Sequence, residues 1–149
     1  MSTSLLVACL IIGVPDGDSL KVKCPERVKA FSVRLAGIDA PEIVHKGFHI
    51  AEQPGGREAK ASLAELCLKQ PATIHRTATD RRNGRMVAQV ECGGVNVNAE
   101  QLRRGQAWAY MASKRSQFPK LEAKARADGV GLWAVPNPIK PRDWRKGIR

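Results

Sequence analysis

Hydrophobic and polar positions in the first quarter of the chain predict an antiparallel meander. Residues 5–14 form a nearly continuous apolar run with several β-branched side chains, which is typical of a buried strand. A Pro-Asp-Gly-Asp turn follows, and residues 19–24 then alternate apolar and polar side chains, as half-buried strands do. Residues 27–36 form the third predicted strand, in which residues 31–36 alternate in the same way. We therefore expect three consecutive strands joined by tight turns.

The rest of the chain adds helices and two more strands. Apolar residues at helical spacing predict helices at residues 57–69, 98–104 and 118–128, and a glycine follows each of the last two. Strands are predicted at residues 72–77 and 86–91. This order predicts an α+β fold that is mainly β, a five-stranded Greek-key barrel with about three helices. From pattern alone, it is one of several α+β possibilities.

The length of 149 residues is typical of one domain, so we expect a single domain over residues 1–149. A tail that contains several prolines and a tryptophan begins at about residue 134, and we expect it to lie across the surface with its aromatic side chains as anchors. The apolar run at residues 5–12 is too short to span a bilayer, and no Lys or Arg precedes it. We interpret it as a strand rather than a signal peptide.

The charge balance points to an acidic partner. The chain has 25 Lys and Arg residues and 14 Asp and Glu residues, which gives a net charge of +11. Nucleic acid and anionic surfaces are the usual partners of such a chain. No amphipathic basic helix is long enough to favour a membrane surface, so we expect no membrane association.

Four cysteines lack the spacing of a zinc site. If the turn after the first strand is centred between Asp16 and Gly17, Cys9 and Cys24 face each other across the hairpin. They would then form either a disulfide or a pair of free thiols, so the sequence leaves the redox compartment open.

Residues 33–42 contain the most closely spaced group of candidate site residues. Arg34 lies on the polar face of the third strand, and Gly37 and Pro41 shape a stiff turn that carries Asp39 and Glu42. One guanidinium and two carboxylates in such a turn could bind a cation and an anion side by side, as phosphodiester cleavage requires. The alternative is a surface ion pair beside a turn, which is common and weak.

Four motifs, in order, resemble those of the staphylococcal nuclease (thermonuclease) family. They lie at residues 14–19, 33–42, 84–85 and 97–105, and the likeness runs from about residue 6 to residue 133. The tail at residues 136–146 also resembles that of bacterial nuclease-like members. This resemblance implies an OB-fold barrel and a calcium-dependent nuclease that acts on DNA and RNA and leaves 3′-phosphate ends.

The resemblance also implies a role for each site residue. Asp18 and Asp39 would be the Ca²⁺ carboxylate ligands, the Ala40 carbonyl would be a third ligand, and Asp16 would support them from behind. Glu42 would orient or deprotonate the attacking water. The remaining residues would contact the substrate: Arg34 and Arg85 the scissile phosphate, and Tyr110 the nucleotide through its ring. A monomer, exported from the cytoplasm or held in the periplasm, fits the same resemblance.

Three departures from the family pattern concern the substrate and its metal. Ala40 stands where the family often has Thr, although a carbonyl ligand survives that change. Asn83 stands where an aromatic residue is common, and Ala112 is the nearest candidate for a second tyrosine. The competing interpretation is a noncatalytic OB-fold that binds nucleic acid through a basic groove.

Overall fold

The computed structural model describes residues 8–47, 49–112 and 116–149. Within these residues the strands are β1 Cys9–Asp16, β2 Ser19–Lys23, β3 Phe31–Leu35, β4 Ile38–Asp39, β5 Pro71–Thr79, β6 Met86–Cys92, β7 Val95–Asn96 and β8 Trp108–Ala109. The helices are α1 Gly56–Cys67, α2 Val97–Arg103, α3 Phe118–Asp128 and α4 Pro141–Arg145, and a 3₁₀ turn spans Gly131–Ala134.

Five of the strands close into a barrel. They follow the order β3-β2-β1-β5-β6, and a parallel pairing of β3 with β6 joins the two ends of the sheet. In this pairing Val33 lies opposite Met86, and Arg34 lies opposite Val87. The predicted five-stranded barrel in an α+β, mainly β fold is therefore confirmed. The small β4–β8 sheet lies beside it.

The alternation of the strands decides which side chains fill the barrel. Leu20, Val22 and Val33 are fully buried, and α1 and α2 contribute Leu63 and Leu102 to the same core. The polar positions between them face outward, because successive side chains of a strand point to opposite faces. Arg34 is one of these outward positions, beside the turns that follow β1 and β4.

The predicted elements differ from the observed ones mainly at their ends. Helix α3 has the predicted bounds, but the third strand begins later than predicted, at Phe31. The Arg27 N–H donates to the Cys24 carbonyl over 3.1 Å, and the Arg27 carbonyl accepts a hydrogen bond from the Lys23 ammonium. These bonds form a turn that keeps residues 27–30 out of the sheet. The predicted strand residues 5–7 lie outside the described part of the chain.

Both pairs of cysteines form disulfides. Cys9 bonds to Cys24 across the β1–β2 hairpin, which resolves the alternative that the sequence left open. Cys67 at the end of α1 bonds to Cys92 at the end of β6, a pairing that the sequence did not predict. The second bond fixes α1 against the closed barrel.

The C-terminal tail lies on the molecule as a short structured segment rather than as an irregular strap. Trp144 in α4 is buried, and its indole Nε1 donates to the Ala51 carbonyl over 2.7 Å. The predicted anchoring role thus falls to Trp144. Among the residues described, no helix has both the length and the apolar character needed to span a membrane.

Candidate active site

Two loops meet at one rim of the barrel, and a hydrogen bond joins them. Asp18 lies in the turn after β1, and its Oδ2 accepts the backbone N–H of Ala40, in the turn after β4, over 2.7 Å. Asp16 caps the first turn, since its Oδ1 accepts the Asp18 N–H over 3.1 Å. The fold therefore brings Asp18 next to the turn that carries Asp39 and Glu42.

Two buried side-chain amides of α2 donate hydrogen bonds to the backbone of the segments that lead into these loops. The Gln101 amide Nε2 donates to the carbonyls of Gly17, over 2.9 Å, and Ala59, over 3.0 Å. The Asn98 amide Nδ2 donates to the carbonyl of Ala36 over 2.9 Å. Helix α2 thus fixes both segments that lead into the site. The sequence predicts that both amides lie in a short helix but gives no signal of this role.

Gly17 is required at its position by close packing. A Cβ atom built on Gly17 would lie 2.5 Å from the Ala59 Cβ and 2.9 Å from the Ala40 Cβ. The turn between Asp16 and Asp18 can therefore approach α1 only because residue 17 lacks a side chain.

Arg34 lies between the two predicted metal-ligand carboxylates. Its Nη1 contacts the Asp18 Oδ2, and its Nη2 lies 3.2 Å from the Asp39 Oδ1. The same Nη2 donates to the Ile38 carbonyl over 3.1 Å. This is not an exposed surface pair, because the Asp18 and Asp39 side chains are only 11% and 3% exposed. A single guanidinium thus fixes the spacing of both carboxylates.

A second guanidinium, that of Arg145 in α4, reaches the same rim and was not predicted. Its Nη1 and Nη2 lie 3.3 Å and 3.2 Å from the Asp39 Oδ1 and Oδ2. Its Nη1 also contacts the Glu42 Oε1. The only sequence signal for this residue was its position beside Trp144, an expected anchor of the tail.

The backbone around Glu42 is connected to the same tail. The Glu42 N–H donates to the Gln53 Oε1 over 3.0 Å, and the Gln53 Nε2 donates to the Ile139 carbonyl over 2.5 Å. One buried amide side chain therefore joins the turn that carries Glu42 to the segment that precedes α4.

Burial, nearby charges and hydrogen bonds shift the pKa values of the four acidic groups. Burial, with the added charge of Asp18, raises the pKa of Asp16 to about 6. Burial also raises the pKa of Asp39 and that of Glu42 above their ordinary values, although the Arg145 contact opposes it. Burial acts on Asp18 in the same sense, but the Arg34 charge and the Ala40 N–H outweigh it and lower its pKa.

His45 adds a contact outside the predicted set. Its Nε2 lies 3.4 Å from the Asp16 Oδ2. Asp16 therefore contacts His45 through one oxygen and the Asp18 N–H through the other. His45 and His49 lie in a segment without helix or strand, at residues 41–45 and 49–50.

Arg85 lies outside the carboxylate cluster, immediately before the neighbouring strand β6. It precedes Val87 by two positions, and Val87 pairs with Arg34. Its buried Nε has no hydrogen-bond partner among the described residues. Together with Arg27 and Arg76, it lines an open cavity of about 530 Å³.

The two remaining predicted residues flank the rim. The Tyr110 N–H donates to the Gly37 carbonyl over 2.9 Å, which holds Tyr110 beside the β4–β8 pair and its Asp39. Ala40 contributes its N–H to Asp18 in the contacts that the structure describes, and its carbonyl remains a predicted ligand. The compact group of Cys9, Cys24 and Glu26 is not a metal site, because its thiols are bonded to each other.

The molecule combines a five-stranded barrel with a cluster of carboxylates at one rim, and the guanidinium groups of Arg34 and Arg145 contact that cluster. This combination is typical of nuclease-like OB-fold proteins. Comparison with known families makes this specific, since residues 32–135 match the model described as staphylococcal nuclease homologue. The chain belongs to this family.

Individual relatives agree with this membership. The chain is 34% identical to a protein of Haemophilus influenzae named "Uncharacterized endonuclease", over 93% of this chain and 72% of that protein. It is 32% identical to the ParB protein of Escherichia coli, over 91% of this chain and 77% of ParB. It is also 40% identical to the staphylococcal-like nuclease CAN1 of Arabidopsis thaliana, over 81% of this chain. The chain spans only about a third of the length of its plant relatives, 33% and 35% in two cases.

Proposed function

We propose that the chain is a calcium-dependent nuclease that hydrolyses phosphodiester bonds of DNA and RNA and leaves 3′-phosphate ends. The observation that carries the proposal is the contact of both Asp18 and Asp39 with the single guanidinium of Arg34. Acidic oxygens and a guanidinium, a group that suits phosphate binding, are thereby held at one rim. The names of relatives, a staphylococcal-like nuclease and an endonuclease, support the same class of reaction.

The donor set at the rim fits a hard divalent cation. Ca²⁺ takes roughly six to eight oxygen ligands in flexible geometry, and carboxylates and backbone carbonyls are typical among them. Asp18 and Asp39 would hold the ion together with the Ala40 carbonyl, and Asp16 would fix Asp18 through the backbone N–H. When bound, the ion supplies Lewis-acid polarisation of a phosphoryl oxygen.

The direction of two pKa shifts at the rim supports the same proposal. The raised pKa values of Asp16 and Asp39 have the burial of both groups and the charge of Asp18 among their causes. A cation between these carboxylates relieves the repulsion and favours their ionised forms.

The protein side chains have distinct roles in the proposed reaction. Glu42 accepts a proton from the attacking water, a role in which a positioned carboxylate contributes about 10²–10⁴-fold. Arg34 and Arg85 donate hydrogen bonds to the phosphoryl oxygens, where negative charge increases in the transition state. Guanidinium groups suit this role because their planar fork donates two bonds to phosphate and keeps its charge.

Substrate binding would depend on charge and stacking rather than on base sequence. The net charge of +11 favours a polyanion, and the cavity lined by Arg27, Arg76 and Arg85 offers further cationic groups. Tyr110 would contact the nucleotide with its ring. Because these groups address phosphate, metal or any base face, we expect little sequence preference.

A digestion assay tests this proposal. Plasmid DNA and a structureless RNA are incubated with the protein in Ca²⁺, in EGTA, and in EGTA with Ca²⁺ restored. We expect cleavage only where Ca²⁺ is free, and product ends that become extendable by a 3′-end polymerase only after phosphatase treatment. Cleavage that continues in EGTA would reject the calcium mechanism. Salt-sensitive binding without cleavage in any divalent metal would support the noncatalytic binding module instead.

A further inference from the structure

The C-terminal helix contributes a charge to the candidate active site. Arg145 makes a two-pronged contact with Asp39 and a further contact with Glu42, at separations of 106 and 103 positions along the chain. Both oxygens of Asp39 are thereby engaged by one guanidinium. These are the oxygens that the proposed cation would require.

The helix that carries Arg145 is anchored independently of this contact. Trp144 is buried and hydrogen-bonded to the Ala51 carbonyl, and Arg149 stacks on its indole at 3.8 Å. Gln53 ties the preceding segment to the backbone of Glu42. The Arg145 side chain, by contrast, is 35% exposed, whereas that of Asp39 is 3% exposed. The guanidinium can therefore leave the carboxylates while the helix remains in place.

The charge count of the rim shows what the guanidinium does there. Two cations, Arg34 and Arg145, contact three of the carboxylates. The fourth carboxylate, Asp16, lies beside them and contacts His45. Without Arg145, Asp39 would share its remaining guanidinium, that of Arg34, with Asp18, and Glu42 would lose its ion pair with Arg145.

We propose that Arg145 is a tethered counter-cation of this site, which occupies Asp39 and Glu42 until a divalent cation displaces it. This inference rests on the proposed function, since it assumes that the rim binds such an ion. Displacement follows from two physical facts: the ion needs oxygens of Asp39 that Arg145 engages, and two cations close together repel each other. Cation loading is therefore linked to release of the Arg145 side chain, and the linkage is reciprocal.

The test compares Ca²⁺ binding, measured by isothermal titration calorimetry without nucleic acid, in four proteins: the wild type, R145Q, R145K and R142Q. Arg142 lies on the same helix and is exposed, so R142Q makes the same change in net charge away from the rim. We expect R145Q to bind Ca²⁺ about tenfold more tightly than the wild type, since a nearby like charge is removed. We expect R142Q to stay within about twofold of the wild type, because charges at the exposed face are screened. R145K keeps the charge but loses the two-pronged geometry, and should lie between wild type and R145Q.

The outcomes separate this inference from the proposed function. If the wild type binds Ca²⁺ and R145Q binds it equally or more weakly, competition is overturned and only this inference fails. If none of the four proteins binds Ca²⁺, both the inference and the calcium mechanism fail. Thermal unfolding in EGTA checks that each variant is folded, and R145K provides the comparison should R145Q fail to fold.

Discussion

The backbone N–H of Ala40 donates to the Asp18 Oδ2 over 2.7 Å, across 22 positions of sequence. The position of Asp18 thus depends directly on the turn that carries the other predicted ligands, Asp39 and Ala40. Because the donor is a main-chain group, the alanine at position 40 preserves this bond as a threonine would. The departure from the family pattern at this position therefore does not disturb Asp18.

Replacing Glu42 by Gln should separate binding from cleavage. Gln keeps the size of the side chain but cannot accept the proton of the attacking water, so we expect cleavage to slow by about 10²–10⁴-fold. Binding of DNA, measured by fluorescence anisotropy in Ca²⁺, should change little. Glu58→Gln is the matched control, since Glu58 is exposed in the first turn of α1. Equal losses of binding and cleavage in Glu42→Gln would indicate a structural role for Glu42.

Replacing Arg34 by Met should destabilise the cation-free protein. It would leave the buried Asp18 and Asp39 without the guanidinium that they share, and breaking such a pair costs about 3–5 kcal/mol. Denaturant unfolding in EGTA measures this loss, and added Ca²⁺ should recover part of it. Arg103→Met breaks an exposed pair with Glu100 and should cost less than about 1 kcal/mol. Equal losses in the two variants would show that Arg34 does not hold the rim together.

Replacing Gln101 by Leu should loosen the loop that carries Asp18. The carbonyls of Gly17 and Ala59 would lose a buried donor, and an unsatisfied buried group costs about 1–3 kcal/mol. We expect both a lower free energy of unfolding and weaker Ca²⁺ binding at a temperature where the variant remains folded. A loss of stability with unchanged Ca²⁺ affinity would show that Gln101 supports the core alone.

Removing the Cys67–Cys92 disulfide should destabilise the barrel. The bond closes a separation of 25 residues, for which chain entropy predicts a loss of about 3.5 kcal/mol in the Cys67→Ser, Cys92→Ser variant. Chemical unfolding of the wild type with and without reductant should show a similar or larger loss, since both disulfides are then reduced. No difference between reduced and oxidised wild type would contradict the prediction.

Local signals in the sequence were sufficient for much of the fold. Helix α3 has the predicted bounds because Pro119 lies in its first turn and Gly129 adopts a left-handed conformation at its end. Hairpin symmetry predicted that Cys9 and Cys24 face each other, and Leu10 pairs with Lys23 as the turn predicts; only the structure shows that the two thiols are bonded. These features depend on residues that are close together in the chain.

The features that the sequence did not reveal depend on distant segments. Arg145 contacts Asp39 across 106 positions, and no periodicity in either segment specifies that contact. The Cys67–Cys92 bond likewise requires α1 to pack against the closed barrel before the two cysteines can meet. The carboxylates of Asp39 and Glu42 could be predicted because they lie close together in one turn, which is a local signal.

The most direct test is a crystal structure of the protein with Ca²⁺ and a nucleoside 3′,5′-bisphosphate. The account predicts one calcium ion bound by Asp18 and Asp39, with a phosphate beside it that contacts both Arg34 and Arg85. A calcium ion bound elsewhere, or a phosphate that neither arginine contacts, would contradict it.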